Sequence, residues 1–301
     1  MKNRASTLRF TARKHIHLVS SGAIKAICAT ALLSGSAVEF ALAGQTAPHP
    51  TPTPSPTPSV AADPCGSIIS IVNRPPISTG ICTVQKGHFD VETGWTNLVA
   101  TGSNAGNSGS YGASLVRIGT GDSQVDLEIT PPNFQRATSA SGTSDSSIGA
   151  KVELGYSSRW LYGVNGLVAF PTGSKAFTAG AAQYTGNFNW AYTINSVFGV
   201  NGTLGLNQLR GTSSNGALQS YFAFVPSLEA TASLPGPAQI FAEYAYFSQA
   251  GSGLGSKGTI DFGYLHDFGT HLQLDAEYGI TPTTLFGQRQ HYIGAGLSFM
   301  N

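Results

Sequence analysis

Closely spaced carboxylates, two cysteines and a few histidines are the residues of this sequence that could do chemistry. Asp126 and Glu128 stand two positions apart, as do Asp275 and Glu277. At that spacing two carboxylates share one face of an extended chain, where together they set a local negative potential. His266, His271 and His291 fall on different segments with no evident serine partner, so they do not make a Ser–His–acid constellation. Gly253-Leu254-Gly255-Ser256-Lys257-Gly258 matches the dinucleotide fingerprint G-x-G-x-x-G. That fingerprint works only between a strand and a helix, and here a strand follows, so the run reads as a flexible loop. There is no G-x-S-x-G elbow, no P-loop and no cluster of cysteine with histidine, so no catalytic residue, cofactor or metal ligand is assigned.

The elements that must position the carboxylates show themselves near the carboxyl end. In His271 to Ile280, the residues His271, Gln273, Asp275 and Glu277 alternate with Leu272, Leu274, Ala276 and Tyr278. A strict period of two marks a strand with one wet and one apolar face. Ile260, Phe262 and Tyr264 alternate in the same way with Asp261 and Gly263, and Ile293, Ala295, Leu297 and Phe299 share a face near the end of the chain. Strands of soluble sandwiches run to about five or six residues, whereas these run to about ten, the length that crosses a bilayer at a tilt. The fold class expected is all-β, a transmembrane antiparallel up-and-down β-barrel.

Twelve candidate strands follow from Lys86 onward, at approximately 88–99, 111–119, 123–130, 146–156, 159–170, 187–199, 203–210, 218–233, 238–248, 258–268, 271–280 and 290–300. Short connections, such as Ser157-Ser158, Val200-Asn201-Gly202 and Gly269-Thr270, alternate with long ones at 100–110, 131–145, 171–186, 211–217, 249–257 and 281–289. Asn201-Gly202-Thr203 fits a glycosylation pattern, but Asn-Gly between two strands reads first as a tight hairpin turn. An even strand number with short and long connections in alternation is the pattern of an outer-membrane barrel with tight periplasmic turns.

Charge then sorts the two faces. A charge on the lipid face at mid-bilayer costs on the order of 2–4 kcal/mol for Arg or Lys, so the charged faces should line the lumen. The candidates are Asp90, Glu92, Arg117, Asp126, Glu128, Lys151, Glu153, Glu229, Glu243, Asp261, Asp275 and Glu277. Ten acids against two bases should leave a negative potential that favours cations. Tyr156, Trp160, Tyr162, Tyr244, Tyr246, Tyr264 and Tyr278 lie near strand ends or along the lipid face, as an aromatic girdle would. Arg136, Lys175, Arg210, Lys257 and Arg289 fall in or beside the long external loops.

The first 43 residues of the 301 read as a secretory signal, with a basic stretch reaching Lys25 and cleavage after Ala41-Leu42-Ala43, before Gly44. Residues 44–62 are a Pro/Thr-rich linker in which proline recurs every second position, an extended semi-rigid spacer. Residues 63–85 form a short periplasmic segment containing Cys65 and Cys82, and 86–301 the barrel. The third cysteine, Cys28, falls in the signal, and an exported chain left with two cysteines most simply pairs them as a disulfide. The formal net charge of +1 counts the signal; without it ten basic and fourteen acidic residues remain, about −4. Nothing suggests a nucleic-acid partner, and no run approaches the roughly 18 apolar residues of a membrane-spanning helix.

Asp145 to Ser174, DSSIGAKVELGYSSRWLYGVNGLVAFPTGS, and Gly258 to Ile280 followed by QHYIGAGLSF resemble the paired and closing strands of a known family. It is the family of outer-membrane transporters named after the meta-pathway of phenol degradation, and the resemblance runs from about Lys86 to Asn301. The amino-terminal cysteine pair is similar to that of a subgroup. Pro171-Thr172-Gly173 carries over as a strand-to-loop boundary. The resemblance implies an outer-membrane location and uptake of hydrophobic or aromatic compounds. Three functions compete: a passive channel for a small-molecule solute, a sealed structural or adhesive barrel, and an outer-membrane lipase-type enzyme. Expected partners are outer-membrane lipid, the solute, and the barrel-assembly machinery acting through the C-terminal strand.

Overall fold

The computed structural model describes residues 63–301 apart from 103–105, 122–123, 214–215 and 283–288. All of these belong to one compact unit, Pro58–Asn301. Ala41, Ala43, Gly44 and the linker through residue 62 lie outside the described residues.

Fifteen strand segments follow a single-turn helix, α1 (Ile68–Ile71). They are β1 (Phe89–Thr101), β2 (Gly106–Tyr111), β3 (Leu115–Gly119), β4 (Val125–Thr130), β5 (Phe134–Ala137), β6 (Ala140–Thr143), β7 (Ser146–Tyr156) and β8 (Trp160–Phe170). The rest are β9 (Gln183–Thr193), β10 (Phe198–Thr212), β11 (Leu218–Leu234), β12 (Ala238–Phe247), β13 (Lys257–Phe268), β14 (Leu272–Thr281) and β15 (Arg289–Met300). Three staves are each broken into two segments, β2 with β3, β4 with β5, and β6 with β7, so the wall has twelve staves. Every neighbour pair is antiparallel, and β15 pairs with β1 from Asp90 opposite Met300 to Thr101 opposite Arg289, which closes the barrel.

Local chemistry explains where the staves break. Pro131 and Pro132 separate β4 from β5; without N–H groups they cannot continue the ladder. Two expected boundaries are corrected. The long external loop placed at 131–145 is largely a hairpin, β5 and β6, that extends the wall. The turn placed at Val200-Asn201-Gly202 lies instead at residues 194–197, where the side-chain oxygen of Asn195 accepts hydrogen bonds from the amides of Val197 (2.8 Å) and Phe198 (2.9 Å). Asn201 and Gly202 are inside β10, opposite Ala191 and Trp190. Gly202 is there for close approach: a Cβ would lie 2.5 Å from Cε2 of the Trp190 ring.

The alternation puts apolar side chains outside. Leu154, Leu206, Phe222, Leu228, Phe262 and Ile293 are each half or more exposed, a surface that only lipid can cover at low cost. Tyr156, Trp160, Tyr162, Tyr244, Tyr246, Tyr264 and Tyr278 are exposed on the same face. The short connections and both ends of the wall, Phe89 and Asn301, gather at one rim, where Phe89 N–H donates to Asn301 Oδ1 at 2.7 Å.

Candidate functional site

Residues 64–84 do not sit at the mouth of the barrel; they run inside it as a plug. Cys65 and Cys82 are joined in a disulfide with Cα atoms 5.3 Å apart. Around it Ile71, Ile81 and Val84 form a small buried cluster that rests on Leu161 of β8. The rest of the plug has almost no apolar core of its own, so its backbone amides need partners in the wall.

Those partners are the inward carboxylates. Glu92 on β1 accepts the amides of Asn73 and Arg74, both at 2.9 Å. Glu243 on β12 accepts those of Ile77 (2.7 Å) and Ser78 (2.6 Å), and also the Ser78 hydroxyl. Asp126 on β4 accepts from Val84 at 3.0 Å, and Thr203 Oγ1 on β10 from Thr79 at 3.1 Å. The guanidinium of Arg74 makes two bonds of 3.2 Å to Asp275 on β14. A carboxylate accepting from N–H groups makes short, charge-assisted bonds, each stronger than a neutral pair.

Two wall cations complete the arrangement. Arg117 on β3 is fully buried; it donates to the carbonyls of Ile71 and Cys82 and to Asp126, the last at 2.5 Å. Asp90, Glu92 and Glu128 surround it at 3.9, 4.0 and 3.8 Å. Lys151 on β7 donates to Asn73 Oδ1 at 2.6 Å and lies 3.6 Å from Glu128. Glu153 lies 3.3 Å from Cys65 Sγ. Asn165, Asn189 and Thr203 carry the network round the wall from Glu128.

Apart from Asp275, which Arg74 holds, the inward candidates fall in two groups. Asp90, Glu92, Arg117, Asp126, Glu128, Lys151 and Glu153 gather on one side. Glu229, Glu243 and Asp261 stand directly opposite one another on β11, β12 and β13, with Glu277 half-buried on β14. Among the described residues no basic group lies within 4.0 Å of these last four. Asp261 accepts from the Tyr292 hydroxyl at 2.8 Å.

The lumen is therefore not a bare acidic lining. Most acids on the first side hold plug amides or cations, because a buried carboxylate must find donors. Sequence reasoning missed the plug's own residues, Asn73, Arg74 and Ser78, since nothing local in 63–85 shows that it enters a barrel. A signal for Arg74 does exist: Gly94 and Gly296 face each other across β1 and β15, and a Cβ on Gly94 would lie 2.5 Å from Arg74 Nη2. The histidines stay apart: His266 Nδ1 meets the Tyr264 hydroxyl at 2.9 Å, and His271 Nδ1 meets the Met300 carbonyl at 2.7 Å. The G-x-G-x-x-G residues form a loop that runs directly into β13.

Two cavities flank the plug near the short-turn rim. One, of about 310 Å³, is bordered by Val72, Arg74, Ile81, Leu161, Glu229 and Leu265. The other, of about 260 Å³, lies between α1 and Asp267, His271 and Met300.

A family model described as the MetA-pathway of phenol degradation matches residues 72–300. The match takes in the hydrogen-bonded stretch 73–84 and begins after α1 and Cys65. Among solved structures, an outer membrane channel from Pseudomonas putida F1 is similar, with a TM-score of 0.57 and 12% identity over 75% of this chain and 100% of that one. The NanC porin aligns with a TM-score of 0.49 and 10% identity over 70% and 98% of the two chains. The CymD monoaromatic hydrocarbon channel does so at 0.39 and 10% over 72% and 89%. At these identities the likeness is one of fold, and of the three the first alone bears on it. No protein of curated function matches the sequence.

Proposed function

This chain belongs to the MetA-pathway of phenol degradation family, and on that premise we propose that it is a passive outer-membrane channel for small molecules. It is exported through a cleaved amino-terminal signal and inserted by the barrel-assembly machinery through β15. A twelve-stave barrel is wider than the eight-stranded kind that side chains alone can fill. The observation that carries the reading is how the extra width is occupied. The plug is held by separate hydrogen bonds across a polar lumen, not by a continuous apolar core.

The larger cavity supports small solutes that join an apolar body to several hydrogen-bonding groups. It mixes Val72, Ile81, Leu161 and Leu265 with Arg74 and Glu229, in about 310 Å³. An engineered apolar cavity of about 150 Å³ already holds benzene. An enzymatic role finds less support, because His266 and His271 bond a tyrosine and a main-chain carbonyl.

The sealed structural barrel is the competing reading, favoured by the number of wall partners the plug engages. Planar-bilayer recording separates the two. A channel conducts in the full chain and conducts several-fold more when residues 64–84 are removed. A barrel that is silent in the full chain and conducts only without residues 64–84 is sealed.

A further inference from the structure

The plug meets its surrounding wall in two different ways. Toward β1, β3, β4, β7, β10 and β12 its polar atoms are taken up by wall side chains. Against β13 and β14 it sets α1, whose Ile68 and Ile71 are 2% and 1% exposed. The wall there is polar, not apolar. Asp267 stands opposite Gln273, and Gln273 opposite Ser298, on three adjacent strands. Ser298 in turn pairs with Glu92, two positions from Asp90 on β1.

Gln273, Ser298 and Asp90 are buried without hydrogen bonds, and Asp267 beside them is partly exposed. Gln273 and Ser298 are 0% exposed, and neither end of the Gln273 amide nor the Ser298 hydroxyl has a partner. Asp267 Oδ1 and both oxygens of Asp90 accept no hydrogen bond either; Asp90 keeps only its 3.9 Å ion pair with Arg117. Folded proteins pair nearly all buried polar groups, and a contiguous unpaired row needs a reason. α1 packs against β13 and β14, and solvent or a polar solute admitted in its place gives the row its partners.

We propose that the permeation path runs between α1 and the β13–β15 wall, over a polar track formed by Asp267, Gln273, Ser298 and Asp90, which is bared when α1 lifts away. The proposal rests on the channel reading and specifies its route. The track already has a mouth, since the cavity of about 260 Å³ opens between α1 and Asp267, His271 and Met300. Its inner end meets Arg74, seated on Asp275 beside Gly94 and Gly296, which makes that guanidinium the constriction. Beyond Arg74 the same strands offer Glu277 and Asp261. Most anchors of 73–84 are on other strands, so α1 can move while that stretch stays once Arg117 releases the Ile71 carbonyl, with the Cys65–Cys82 bond limiting its swing. A lining of carboxylates, an amide and a hydroxyl suits hydrated cations and neutral hydrogen-bonding solutes over anions.

The test places single cysteines in the full chain, Gln273→Cys and Ser298→Cys on the track, Leu167→Cys and Thr185→Cys, paired neighbours on β8 and β9, on the opposite wall. Each is reconstituted in a planar bilayer and exposed to a small cationic methanethiosulfonate. Current should fall by at least half at the first two and stay unchanged at the second two. The reverse pattern, or no block at any of the four in a conducting protein, overturns the route while leaving the channel standing. Absence of conductance in the unsubstituted protein and in its 64–84 deletion overturns the channel reading itself. A second variant, Gln273→Leu, removes the unpaired amide from the wall that α1 packs against and should lower the open fraction several-fold with the barrel still heat-modifiable on gels. Unchanged or greater opening counts against the route.

Discussion

Arg74 reaches Asp275, 201 residues further along the chain, with two hydrogen bonds of 3.2 Å, because glycines 94 and 296 leave a notch in the wall where its guanidinium lies. Neither partner is free to the solvent: their side chains are 15% and 0% exposed. The pair spans the join between plug and wall.

Breaking that pair should loosen the plug. A hydrogen bond to a charged group contributes about 1.5–3 kcal/mol, so Arg74→Gln should raise the open fraction roughly 10- to 100-fold. Gly296→Val should act through the same contact by filling the notch, and the two changes together should add little to either alone. Single-channel recording checks both; independent, additive effects would show that the notch does not hold Arg74.

Arg117 is a stability residue. It is the fully buried cation among Asp90, Glu92, Asp126 and Glu128, and removing one partner of such a group costs about 3–5 kcal/mol by leaving uncompensated charge. Arg117→Gln should lower the thermal unfolding temperature in detergent by several degrees, and Arg117→Gln combined with Asp126→Asn should recover part of the loss. A single variant as stable as the parent would contradict the arrangement.

Ion preference should divide the acids. Asp126 and Glu128 are neutralised by Arg117 and Lys151, so Asp126→Asn should leave the cation preference nearly unchanged. Glu277 has no basic group within 4.0 Å among the described residues and is half-buried, so Glu277→Gln should reduce it. Reversal potentials in a salt gradient measure the difference, which should shrink at high ionic strength as screening shortens to a few ångströms. Equal effects of the two changes would mean that the paired acids also face the permeating ion.

Orientation is testable on whole cells. Both ends of the wall and the turns near Gly121 and Gly269 share one rim, expected to be periplasmic, with loop 171–182 at the other. Lys175→Cys should react with an impermeant thiol reagent and Thr270→Cys should not until the envelope is opened. Equal labelling of both would reverse or void the assignment.

The sequence by itself determined the barrel. Period-two alternation in stretches such as His271 to Ile280 is a local property, since successive side chains of any extended chain point to opposite sides. It was therefore enough to give the strand type, the count of twelve and the facing of Asp90, Lys151 or Glu243. Turn chemistry was less legible: Asn201-Gly202 reads as a hairpin, yet Gly202 is a strand residue that lets Trp190 lie flat, and the turn at residues 194–197 is set by an Asn195 side chain no periodicity marks. Only the tertiary structure decided what fills the lumen. Glu92 with Asn73, Glu243 with Ser78 and Asp275 with Arg74 are joined across 19, 165 and 201 positions, and whether a carboxylate faces water, a cation or a threaded amide depends on where distant chain passes. Charge pattern alone assigns these acids to one face; the enclosed segment turns Glu92, Asp126, Glu243 and Asp275 into the anchors of a plug.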